Sequence, residues 1–146
     1  MMLTTPPREM GVTPTKEFPH VYGVLMDLPV GAQQVATVFS SSTGGASLYT
    51  TSTFGILGGE GHEKVRAAAK AFVKAADRSY TAAIPATEFP YPGEGRVRFY
   101  FLTFNGVRVV DTDLASIVSG ASKYAELFGL GQAVLTELRL ITEKRD

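Results

Sequence analysis

The sequence predicts an α+β domain of two layers, a mostly antiparallel sheet of about five strands with two helices on one face. Three observations carry this. Residues 96 to 114 hold two β-rich runs around Asn105-Gly106, the dipeptide best suited to a type I′ hairpin turn, whose two central residues both need positive φ. Residues 62 to 78 and 122 to 143 each repeat apolar side chains at three- and four-residue spacing, the mark of a helix with one buried stripe. Finally, the elements come grouped as β-β-β-α-β-β-α instead of alternating strictly, which argues for hairpins over a parallel sheet.

Residues 1 to 19 contain Pro6, Pro7, Pro14 and Pro19 and few large apolar groups, so they read as an extended arm preceding a single domain over residues 20 to 146. Residues 20 to 28 place apolar side chains on both faces of a strand (Val21 and Leu25; Tyr22, Val24 and Met26), as an interior strand requires. Residues 34 to 41 and 46 to 54 form a second hairpin, richer in Ser and Thr and therefore expected nearer an edge. A glycine-rich segment, residues 55 to 61, leads into the first helix, whose stripe is Val65, Ala69, Phe72, Val73, Ala76 and Tyr80. Residues 81 to 95, with Pro85, Pro90 and Pro92, read as a long irregular crossing. The last helix presents Tyr124, Leu127, Phe128, Gly131, Val134, Leu135, Leu138 and Ile141. Within it Gly129 and Gly131 each cost about 1 kcal/mol against alanine, which predicts either a bend or a close neighbour.

A two-residue turn at Asn105-Gly106 would set Phe104 opposite Val107, Leu102 opposite Val109, Tyr100 opposite Asp111 and Arg98 opposite Asp113. Both faces of that hairpin are apolar along its middle. Two helices cover only one of them, and exposing Leu102, Phe104, Val107 and Val109 would forgo about 1.5–3 kcal/mol for each large side chain. Such patches mark interfaces, so these four residues are the expected contact with a second copy of the chain, in a dimer or larger homo-oligomer.

Composition narrows the function. Fourteen basic and fourteen acidic residues cancel, leaving no global field for nucleic acid or an anionic membrane, and neither partner is expected. With 45% apolar and only 19% charged residues, the chain is greasy for a free monomer. It has no cysteine, hence no disulfide, thiolate metal site or cysteine nucleophile. The first residues lack the basic start and apolar core of a secretory signal, and no run approaches 18 apolar residues, so the cytoplasm is the expected compartment.

Four groups of residues are candidates for chemistry. Gly58, Gly59 and Gly61 open onto a helix start at His62, where bare N–H groups could hold an anion. The pattern is neither a P-loop nor a dinucleotide fingerprint, and Glu60 and Glu63 already supply negative charge there. Asp111 and Asp113 share one side of a strand, with Arg98 and Tyr100 opposite them, a polar cluster that cross-strand ion pairing and hydrogen bonding explain better than a ligand or partner contact would. Arg66, Lys70, Lys74 and Arg78 form a basic ridge that could dock a second protein, with Glu63 and Asp77 spaced to pair with it. His20 and His62 are the two histidines; no serine elbow accompanies either, so no catalytic residue, metal or cofactor is assigned.

The order of elements is loosely similar to that of small regulatory α+β domains of the profilin, longin and roadblock types, a likeness of topology alone. The expected function is thus a non-catalytic, self-associating scaffold or regulatory module. The alternative is a small-ligand or nucleotide-binding regulatory domain using the turn at residues 55 to 61, and an enzyme built on His62 has the least in its favour. A thermal shift with a nucleotide and metal panel, lost in Gly59→Val or His62→Ala, would favour the alternative.

Overall fold

β1 (Val21–Pro29) has large apolar groups on both faces, and it lies at the centre of an antiparallel sheet of seven strands among the described residues. The order is β4-β3-β2-β1-β6-β7-β5, with β2 (Val35–Ser41), β3 (Ala46–Thr50) and β4 (Gly55–Gly58) on one flank. β6 (Arg96–Thr103), β7 (Gly106–Asp113) and the two-residue β5 (Ile84–Pro85) form the other. The computed structural model describes residues 15–16, 18–29, 35–50, 55–58, 63–86, 95–104 and 106–143. α1 (Glu63–Ser79) and α3 (Ala125–Glu143) pack on each other and on one face of the sheet, giving the two layers. The α+β class and the helices on one face are as the sequence predicts.

The main core lies between sheet and helices. Val21, Val24 and Met26 of β1, Val38 of β2 and Val97, Phe99 and Phe101 of β6 meet Val65, Ala69, Phe72 and Val73 of α1 and Leu127, Val134 and Leu138 of α3. Phe18, at the end of the proline-rich stretch, is buried in the same core, and its N–H is held by the Thr15 hydroxyl at 2.9 Å. Residues 1 to 14, the rest of the expected arm, lie outside the described residues.

Of the paired glycines in α3, only Gly131 has a packing reason. A Cβ there would come within 2.8 Å of Met26 Sδ and 3.1 Å of Phe72 Cζ, so the missing side chain lets α3 settle on the sheet. Gly129 faces open space and the helix continues through both.

Two strands and one α-helix were not foreseen. β4 falls in the expected glycine-rich lead-in to the first helix and pairs Ile56 with Leu48 and Gly58 with Ala46. β5 falls in the expected irregular crossing and pairs Ile84 with Val109 and Pro85 with Arg108. α2 (Leu114–Val118) begins where the expected strand ran on to Leu114; Asp113 caps it, its carboxylate accepting from Ser116 N at 3.1 Å and Ser116 Oγ at 3.0 Å.

The hairpin register differs from expectation by two residues. Thr103 pairs with Gly106, Leu102 with Val107, Tyr100 with Val109, Arg98 with Asp111 and Arg96 with Asp113. β6 therefore ends at Thr103 and Gly106, at φ +119°, opens β7, while Asn105 of the expected turn lies outside the described residues. A slip of two leaves every side chain on its own face, so the apolar pattern alone cannot separate the registers. The charges can. The observed register sets Asp111 beside two arginines and frees Asp113 to cap α2.

Candidate functional site

Cross-strand pairing arranges the helix-free face in rows. In one row Thr37, Asp27, Arg98 and Asp111 stand side by side on β2, β1, β6 and β7. The next holds Phe39, Leu25, Tyr100 and Val109, ending on Ile84 of β5. A third runs through Gly23, Leu102 and Val107. A polar row thus borders an apolar field.

The polar row is an ion-pair ladder. Arg98 Nε donates to Asp111 Oδ2 at 2.5 Å, and Arg96 Nε donates to the other carboxylate oxygen of Asp111. Partial burial works against the Asp111 anion, but the two arginines prevail and hold its carboxyl below the ordinary range. Arg98 also bonds the Tyr100 hydroxyl. Asp27 differs. It is 4% exposed, and burial pushes its carboxyl up to about 6, although the Thr37 hydroxyl donates to it at 2.6 Å and the Arg98 charge favours the anion.

The apolar field has a buried centre and an open rim. Tyr22, Leu25, Phe39, Tyr100 and Leu102 form a second core that the chain shields by itself, with Leu102 at 0% exposure. Phe104, Val107, Val109 and Ala86 pack against it half-buried, and Ile84 is 66% exposed. Of the four residues expected at an interface, Leu102 therefore supports the strip from beneath and offers no surface of its own. Phe104, Val107 and Val109 do, and Ile84 extends them.

The polar cluster expected from sequence is brought together in part: Arg98, Tyr100 and Asp111 meet, whereas Asp113 turns to α2. Sequence reading missed Arg96 and Asp27; the signal for Asp27 was a lone carboxylate in an otherwise apolar interior strand. Of the expected glycine turn, Gly58 ends β4, while Gly59, Gly61 and His62 lie outside the described residues. Nor is the basic ridge a free row. The Arg66 stem packs where a side chain on Gly44 would stand, Arg78 meets Glu126 at 3.6 Å across to α3, and Lys70 is half-buried while Lys74 is exposed. Asp77, expected to pair with that ridge, instead accepts the backbone N–H groups of His20 and Val21, each at 2.9 Å, and ties the end of α1 to the start of β1.

Among the described residues no group of three or more His, Asp or Glu could hold a metal ion, and no helix is long and apolar enough to cross a membrane. Comparison with family models, with curated proteins and with solved structures finds no match to this chain, so the likeness in element order to profilin, longin and roadblock domains gains no support from them.

Proposed function

We propose that this chain is a non-catalytic interaction module that associates with a second copy of itself through the helix-free face of its sheet. The observation that carries this is the continuous strip Ile84, Val109, Val107 and Phe104, open at the rim of a face whose centre is already buried. An apolar rim above a shielded core is what a contact surface needs, since its large groups gain from burial while the fold does not depend on covering them.

The association is face to face. The sheet edge beside the strip is the two-residue β5, ending in Pro85, and the far part of β7 carries Asp111 and Asp113; short strands, proline and charge all discourage edge pairing. A twofold contact must be self-complementary, and the neighbouring row offers both signs, Arg96 and Arg98 with Asp111. Four side chains fall short of the roughly 1,200 Å² buried in stable interfaces, so the association is weak and concentration-dependent.

Light scattering across a concentration series tests this. The mass is expected to climb from monomer towards dimer, and Val109→Asp, which places a charge in the half-buried strip, is expected to remain monomeric. A wild-type chain that stays monomeric at millimolar concentration, or a Val109→Asp chain that still associates, would remove the reading.

A further inference from the structure

A second feature adjoins that strip at Phe104, at the end of the sheet where β1 begins and β6 turns into β7. A cavity of about 190 Å³ opens there between Pro19, His20, Tyr80, Thr103, Phe104 and Arg108. Arg108 is half-buried, on the helix side of β7, and no carboxylate lies within ion-pair distance among the described residues. Its Nη1 donates to the carbonyls of Ala83 at 3.1 Å and Tyr80 at 3.4 Å, and the guanidinium stands 5.7 Å from the Tyr80 ring centre. Those contacts position the group and leave its charge uncancelled, in contrast to Arg96 and Arg98, which share Asp111. Nη2 and Nε donate to no described residue, and a guanidinium's remaining donors form a fork that suits an oxyanion. The His20 ring, which also lines the opening, lies 5.2 Å from the same Tyr80 ring and lends a second polar group.

The cavity wall is fixed by its own bonds. Asp77 holds the backbone of His20 and Val21, Phe104 N donates to His20 O at 3.3 Å, and Thr103 Oγ1 donates to Gly106 O at 2.5 Å. The size limits the occupant. Drug-sized ligands fill roughly 300 Å³ or more, whereas this volume suits one phosphate or a carboxylate of a few heavy atoms.

We propose that this cavity binds a small oxyanion, a phosphate or a carboxylate, with Arg108 as the charge that recognises it and His20 as a second donor. Five of its six lining residues, all but Phe104, are absent from the proposed self-association strip, so either inference can fail without the other.

The test is an NMR titration of the full chain with sodium phosphate and, separately, with sodium acetate, each against sodium chloride at matched ionic strength. Phosphate or acetate is expected to move the Arg108 Nε–H and His20 ring signals along a saturable curve with a Kd of about 1–10 mM. Whichever binds more tightly names the source of the oxyanion. Arg108→Gln should weaken binding roughly tenfold or more, Arg108→Lys by less, and His20→Gln by a smaller factor with the spectrum otherwise preserved. Chloride producing the same shifts, no saturation, or undiminished binding in both Arg108→Gln and His20→Gln would overturn the proposal. If Arg108→Gln does not fold, the Lys and His20 variants decide it.

Discussion

Replacing Asp27 by asparagine should make the protein more stable at neutral pH. The carboxyl lies on the central strand, 4% exposed, and burial raises it from 3.8 to about 6. The groups facing it are the Thr37 hydroxyl from β2, and Arg98 and Tyr100 from β6, with Asp111 of β7 beyond Arg98. Because the folded value stands above the unfolded one, the folded chain holds the proton more tightly between them. The stability this lends is complete below about pH 4 and is lost as pH rises through about 6. The gap from 3.8 to about 6 is worth about 3 kcal/mol at 1.36 kcal/mol per tenfold. Asp111 acts in a separate window: its carboxyl is held low, so its contribution is present above the ordinary carboxylate range and fails as pH falls below it. The side-chain amide introduced by Asp27→Asn keeps an oxygen for Thr37 and cannot ionise. Urea denaturation from pH 4 to 8 should show wild-type stability falling between about pH 4 and 6, with Asp27→Asn flat across that range and about 1–3 kcal/mol more stable at pH 7.5. An equal slope in both proteins, or a less stable variant at pH 7.5, would refute this; the latter would mean that Arg98 outweighs burial.

Other substitutions separate local causes from each other. Gly131→Ala should destabilise by about 1–3 kcal/mol through Met26 and Phe72, while Gly129→Ala, facing open space in the same helix, should stabilise by about 0.5–1 kcal/mol; thermal melts of both read the opposite signs. Asp113→Ala removes the cap of α2 and should cost about 0.5–2 kcal/mol by urea denaturation. Among the described residues the buried Ser40 hydroxyl has no hydrogen-bond partner, so Ser40→Ala should raise stability by about 1 kcal/mol in the same assay.

The sequence shows its architecture where periodicity is strong. The stripe of α1 reads almost residue for residue, since Val65, Ala69, Phe72, Val73 and Ala76 are all in the core. The hairpin's faces are legible for the same reason, but its register is not, because a slip of two costs nothing in apolar pattern and is decided by Asp111 between Arg96 and Arg98. β5 is two residues long and one is Pro85, so no local preference announces it; it exists by docking on Val109 and Arg108. The cap at Asp113 was legible in principle, with Ser116 three residues on, but the strand-like run before it masked the boundary. Sites suffer most. His20, Tyr80 and Arg108 are scattered along the chain and meet only through tertiary structure, whereas Asp27 could have been singled out as the one carboxylate in an interior strand.

The proposed face of self-association is tested most directly by methyl NMR on a dilution series of the wild-type chain. The methyl signals of Ile84, Val107 and Val109 are expected to move together on one isotherm, while those of Val65, Val73 and Val134 in the helix-side core stay fixed. Signals that do not change with concentration, or that change elsewhere while the strip stays still, would contradict the account.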